Sequence, residues 1–213
     1  MATSARGFLA GLVLLAGSLG AAPRYVTIEE AIARDDLEDV RAHVAADPAS
    51  ATRARRGGLP LHQAILRNKT AIALFLLESG ASVNEPDQSK RTPLHLAVER
   101  GNVALVTALL KRKARSSEWD RIGWTPLHHA AAENKLEVAR ALLDGGVDFL
   151  TLSERGGTAL HEAAASAGAD MIRLLLDAGV DPTVVSKTGV TALDVAKEFK
   201  NEAAIAVLSG GRK

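Results

Sequence analysis

The hexapeptide Thr125-Pro126-Leu127-His128-His129-Ala130 recurs along the chain at a fixed interval of 33 residues. Upstream stand Thr92-Pro93-Leu94-His95-Leu96-Ala97 and Leu59-Pro60-Leu61-His62-Gln63-Ala64. Downstream stand Thr158-Ala159-Leu160-His161-Glu162-Ala163 and Thr191-Ala192-Leu193-Asp194-Val195-Ala196. The copies begin at 59, 92, 125, 158 and 191 with no insertion, and Leu in the third place and Ala in the sixth occur in every one. So strict a period means one supersecondary unit stacked on itself, and it outranks any local propensity.

Within a unit, the Thr hydroxyl is placed to cap a helix, and Pro follows at the first helical position, where its missing N–H costs nothing. A second helix carries the pairs Leu76-Leu77, Leu109-Leu110, Leu142-Leu143 and Leu175-Leu176 toward the stack. Gly80, Gly146 and Gly179 then supply the left-handed residue that ends it. Period and motif together resemble the ankyrin repeat family. The resemblance implies an all-α solenoid of about six 33-residue helix-loop-helix units, enough for a stable array, with β-hairpin-like fingers between units. It further implies that His62, His95, His128 and His161 order turns by hydrogen bonds.

Several places depart from the pattern. Leu59 replaces the capping Thr, a loss of roughly 1 kcal/mol. Lys113 stands where the other units have the terminating Gly, so that junction is expected to be strained or loosened. Asp194 replaces His in the last copy. End units expose faces that their neighbours would bury, and need caps. Residues 23–54 are read as the N-terminal cap, with Ile28 and Ala31 in the motif's apolar places. Its second helix carries Leu37, Val40 and Val44 inward and Glu38, Asp39 and Arg41 outward. Residues 55–186 make four internal repeats, and 187–213 a C-terminal cap and tail.

Composition excludes some functions. With 47% hydrophobic and 24% charged residues the chain is globular rather than disordered, and 3% aromatics suit thin, close-stacked helices. A net charge of +1 provides no global field for nucleic acid or a membrane surface. The absence of cysteine excludes disulfides, thiolate metal sites and cysteine catalysis. Residues 1–22 read as a secretory signal peptide: Arg6, an apolar run from Phe8 to Leu19, then Gly20-Ala21-Ala22. The competing reading is an uncleaved anchor, but a spanning helix needs about 20 apolar residues. The run from Phe8 to Ala22 is shorter and contains three glycines. The mature chain is expected to start between Ala21 and Pro23 and to act in the periplasm or as a secreted protein, touching membrane only through the signal segment.

The residues offer little catalytic chemistry. The histidines stand one per repeat. His129 and Glu133 share a helical face, but imidazole metal sites usually recruit three or more convergent ligands. His161-Glu162 begins a zinc-protease helix motif whose second histidine is replaced by Ala165. No enzyme activity, metal or cofactor is expected. The basic run Lys111–Arg115 is read as a cation-stabilised helix end, with an acidic partner as the alternative.

Surface remains. In the family that the chain resembles, partners are held by the fingers and the exposed positions of the first helices. By register these are Arg55, Arg56, Arg67, Arg91, Arg100, Trp119, Arg121, Ile122, Trp124, His129, Glu133 and Arg155, with Gln88, Glu99, Leu152 and Glu154 beside them. Trp and Arg are the residues most enriched at binding hot spots. For Trp124, packing on an adjacent finger is an equal alternative. Lys135 and Arg173 are expected on the opposite, inert face. The function expected is a monomeric, non-enzymatic module outside the cytoplasm that binds another protein and no nucleic acid. A secreted effector that binds a host protein is the alternative.

Overall fold

The computed structural model describes residues 22–55 and 58–210, so the expected signal segment and Arg56 lie outside the described residues. Twelve α-helices form among them, two per unit: α1 (Ile28–Ala33) and α2 (Leu37–Ala46), α3 (Pro60–Leu66) and α4 (Thr70–Glu78), α5 (Pro93–Glu99) and α6 (Val103–Lys111). There follow α7 (Pro126–Ala132) and α8 (Leu136–Asp144), α9 (Ala159–Ser166) and α10 (Ala169–Ala178), α11 (Ala192–Glu198) and α12 (Glu202–Ser209). First helices pack on first helices and second on second, which makes the two-layered all-α solenoid. Helices this short do not stand alone in water, so burial between neighbours must hold them. The motif supplies it. Leu61, Leu94, Leu127 and Leu160 are buried, and the sixth-place alanines from Ala31 to Ala196 are fully enclosed. Of each leucine pair on the second helices, the first faces the core and the second is half-buried in most units.

Histidine joins one unit to the next. The His95 Nε2 lies 3.1 Å from the Trp124 carbonyl, 29 residues on. The His128 Nε2 lies 3.1 Å from the Gly157 carbonyl, and the His161 Nε2 3.2 Å from the Val190 carbonyl. A carbonyl only accepts, so each Nε2 carries the proton and each Nδ1 is left as an acceptor. Nδ1 then takes the backbone N–H of the preceding cap residue, Thr92 at 3.2 Å and Thr158 at 3.1 Å, and lies within 3.0 Å of each cap hydroxyl. One neutral ring thus closes its own helix start and fastens the next finger.

His62 is the exception. Leu59 caps nothing with its side chain, as the sequence implies, but neither ring nitrogen of the buried His62 has a hydrogen-bond partner. The expectation that all four histidines order turns therefore holds for three. At the other end Asp194 accepts from the Thr191 amide at 2.9 Å and the Thr191 hydroxyl at 2.7 Å. It keeps the cap without the outward donor.

The Lys113 junction is not loosened. Lys113 adopts φ 63° and donates its N–H to the Leu110 carbonyl at 2.9 Å, while Ala114 reaches Leu109 at 3.0 Å. Gly146 and Val147 make the same pair of bonds at 3.0 and 3.2 Å. A Cβ built at Gly80 or Gly146 meets nothing within 4 Å, so a side chain fits there and only the left-handed backbone costs energy. A second correction concerns the cap. Asp39, expected on the outer face, is 2% exposed. It accepts the amides of Arg24 and Tyr25 and faces His43, so it pins the segment entering the first unit.

Two expectations follow. Leu59→Thr should raise unfolding stability by about 1 kcal/mol by restoring the cap, and Lys113→Gly by about 0.5 kcal/mol by relieving the left-handed backbone, both read by chemical denaturation. Second, burial holds His95 and His128 at about 4, against an ordinary 6.5. Because the folded values are depressed, the unfolded chain binds the protons first. Stability is complete above pH ~6.5 and is lost as pH falls toward ~4, by roughly 3 kcal/mol per ring. Melting temperature should be level above pH ~6.5 and fall below it; a level profile down to pH ~4 would contradict neutral, buried rings.

Candidate functional site

In three units one side chain builds the finger. Asp87 Oδ1 accepts the amides of Ser89 and Arg91 at 2.7 and 2.9 Å, and Asp120 Oδ1 those of Ile122 and Trp124 at 3.0 and 3.1 Å. One repeat on, Ser153 Oγ accepts from Gly157 at 3.2 Å. Each turn is closed again by backbone bonds, such as Asp120 N–H to the Trp124 carbonyl at 3.0 Å. The fingers are therefore hairpin-like turns; among the described residues only Arg55 and Gly58 form a β-bridge. Neighbouring fingers touch through single backbone bonds, Arg121 to Ser89, Glu154 to Gly123 and Lys187 to Arg155, at 2.9 to 3.0 Å.

These turns hold one register position outward throughout the stack: Pro86, Trp119, Leu152 and Val185, all exposed. Trp119 is 45% exposed, Leu152 41% and Val185 56%, with Ile122 beside the row at 54%. The Trp119 indole N–H donates to the Leu152 carbonyl at 3.0 Å, which fixes the ring across two fingers. Pro86 and Val185 were missing from the sequence reading, although the 33-residue ruler through Trp119 lands on both.

The arginines divide. Arg121 is exposed and bonds the Gln88 carbonyl at 2.6 Å, which leaves its charge unneutralised. Arg155 is exposed on the next finger, and Arg55 is exposed with its guanidinium 4.0 Å from Glu29. Arg91 is half-buried and committed: it meets Asp87 at 2.8 Å and Glu99 at 2.8 Å. Burial opposes ionisation of Asp87, but the bonds from Arg91 outweigh it and hold the carboxyl below its ordinary value. Arg67, Arg100 and Glu133 occupy the C-cap positions of α3, α5 and α7, an exposed row separate from the fingers.

His129, expected on the open groove, is 7% exposed. Its Nε2 lies 2.9 Å from Asp120 Oδ2, and the Trp124 ring stands edge-on to it at 5.1 Å. Asp120 stands nine residues earlier, in the finger, so the pair braces finger against helix rather than presenting an imidazole. Trp124 is half-buried, with its ring edge-on to His129 of its own unit's first helix. Beside His129 in the next unit, Glu162 is desolvated by burial, which raises its carboxyl pKa against the pull of Arg155 and His129. Lys135, expected to be inert, is half-buried and donates to the Glu99 carbonyl at 2.6 Å while contacting Glu133. Arg173 is exposed beside Asp170, as expected.

The ladder of neutral histidines, the braced fingers and the outward apolar row describe a surface for contact. Comparison with known families agrees with the architecture. The profile described as "Ankyrin repeats (3 copies)" matches residues 61–152, and that described as "Ankyrin repeat" matches residues 155–187. Together they span more than half of the chain. A search of curated proteins finds no match. The chain belongs to the ankyrin repeat family.

Proposed function

We propose that this protein is a non-enzymatic binding module that seizes a partner protein along its finger row. Ankyrin repeats are generally protein–protein interaction modules, and no catalytic family matches the chain. The observation that carries the finer reading is the row itself: Trp119, Leu152 and Val185 exposed at one register position with Ile122 beside them. A soluble surface leaves scattered apolar residues, but a contiguous row set on braced turns marks an interaction site. Arg121 and Arg155 flank it, so the partner surface is apolar at its centre and acidic at its rim. The arginines govern encounter rate and salt dependence, and Trp119 the dissociation rate.

The module works as a monomer outside the cytoplasm. The support for its location is the apolar run from Phe8 onward behind Arg6. No helix among the described residues is long and apolar enough to cross a membrane.

The partner is captured from native extract with the wild-type protein and then titrated against variants. Trp119→Ala should weaken binding at least about 30-fold, the cost of removing a hot-spot tryptophan. The fold should survive, because the ring is half in solvent. Arg173→Ala on α10 should be silent. Normal binding by Trp119→Ala with weakened binding by Arg173→Ala would place the interface on the other side of the solenoid. Location is tested by N-terminal sequencing of exported protein, which should begin between Ala21 and Pro23. Met1 retained in an alkali-resistant membrane fraction would overturn it.

A further inference from the structure

The backbone fixes the period of the finger row. Each finger is a turn of two arms, closed by bonds such as that from the Asp120 N–H to the Trp124 carbonyl at 3.0 Å. One more backbone bond joins it to its neighbour: Arg121 to Ser89, Glu154 to Gly123 and Lys187 to Arg155, at 2.9 to 3.0 Å. Hydrogen-bonded arms stand about 4.7–4.9 Å apart, so two arms advance the row by about 9.4–9.8 Å per unit. The first helices stacked beneath agree, since packed helices lie about 8–10 Å apart. Pro86, Trp119, Leu152 and Val185 share one register position at 33-residue intervals, so each is displaced from the next by that period. The Trp119 indole is already anchored to the Leu152 carbonyl, so the row is set before a partner arrives.

A partner segment follows this row only if its own side chains return to one side at the same distance. An extended strand brings same-side residues round at about 6.6 Å or about 13 Å, and misses it. An α-helix returns to one face after seven residues, about 10.5 Å on, and drifts from the row by about 1 Å per unit. A polyproline II helix has three residues per turn and rises about 3.1 Å per residue, so every third side chain returns after about 9.3 Å. Charge sets a second condition. Arg121 and Lys187 share a register beside the row, and each donates to a carbonyl of the preceding finger, at 2.6 and 2.7 Å. With Arg155 they are exposed and in no ion pair among the described residues, against the one carboxylate of Glu154 between them.

We propose that the row receives a polyproline II segment of the partner, with an apolar residue at every third position and acidic residues between. The inference rests on the protein-binding reading above. Such a segment makes no internal hydrogen bonds and keeps its backbone in water, so side-chain contact with Trp119, Leu152 and Val185 is enough to seat it. It is stiff before it binds, so little conformational entropy is lost on docking.

The test titrates three labelled synthetic peptides against the purified protein by fluorescence anisotropy. One is Pro-rich, with Leu at every third position and Glu between; the second is its scramble; the third is an acidic helix former with Leu at every seventh position. The first should bind at least about tenfold more tightly than the others. It should lose at least about tenfold with Trp119→Ala or Val185→Asp and nothing with Arg173→Ala. Val185→Asp decides if Trp119→Ala does not fold. A scramble that binds equally, a helix former that binds more tightly, or binding indifferent to both row variants would overturn the inference and leave the protein-binding reading intact. If no peptide binds, the inference falls. The broader reading falls with it only if the partner captured from extract is also indifferent to Trp119→Ala. A wild-type dimer dispersed by Val185→Asp would assign the row to a second copy and overturn both.

Discussion

The bond from a histidine Nε2–H to the carbonyl 29 residues further on holds this array in register. It is worth only about 0.5–1.5 kcal/mol net, but breaking it strands a buried donor, and the cost of stranding is larger than the gain of making it. The same ring holds the cap residue through Nδ1, so a helix start and the next finger cannot move independently. The receiving carbonyl is shared: that of Trp124 takes both His95 and the Asp120 amide. Buried rings must stay neutral for this to work, and desolvation keeps them so. At the C-terminal end Asp194 caps without an outward donor, and no described finger lies beyond it.

From that tie follows the surface. Fingers held at their bases by a histidine tie, by a clasp from Asp87, Asp120 or Ser153, or by both, present one register position outward in successive units. Pro86, Trp119, Leu152 and Val185 thereby become a line rather than four isolated residues. Architecture does not select the partner, since ankyrin arrays share a scaffold and differ in what they display. On the proposed reading, selectivity comes from the row and the unneutralised arginines beside it.

Much of this was legible in the sequence because the period is strict. The helix pairs, the buried Leu and Ala places, the missing cap at Leu59 and the outward Trp119 could all be read by counting. The misses share one cause: they depend on groups outside the helix that carries the residue. Helical spacing sets Asp39 outside, yet the amides of Arg24 and Tyr25 draw it in. Register sets His129 on the groove, yet Asp120 captures its Nε2. Lys135 reads as surface until the Glu99 carbonyl of the preceding unit is seen. The lost cap at Leu59 hinted that His62 was unusual, but its missing outward bond depends on where the next finger sits. The finger clasp was visible as Asp or Ser at a 33-residue spacing, masked because the louder motif drew the ruler.

The central claim is that the neutral rings of His95, His128 and His161 fasten the following finger to the unit before it. Long-range 15N–1H NMR of the imidazole rings at neutral pH tests it most directly. The account predicts that His95, His128 and His161 carry their proton on Nε2, exchange it slowly and show coupling to the carbonyls of Trp124, Gly157 and Val190. His62 should show a rapidly exchanging ring proton and no such coupling. Nδ1-protonated or rapidly exchanging rings at 95, 128 and 161 would contradict it.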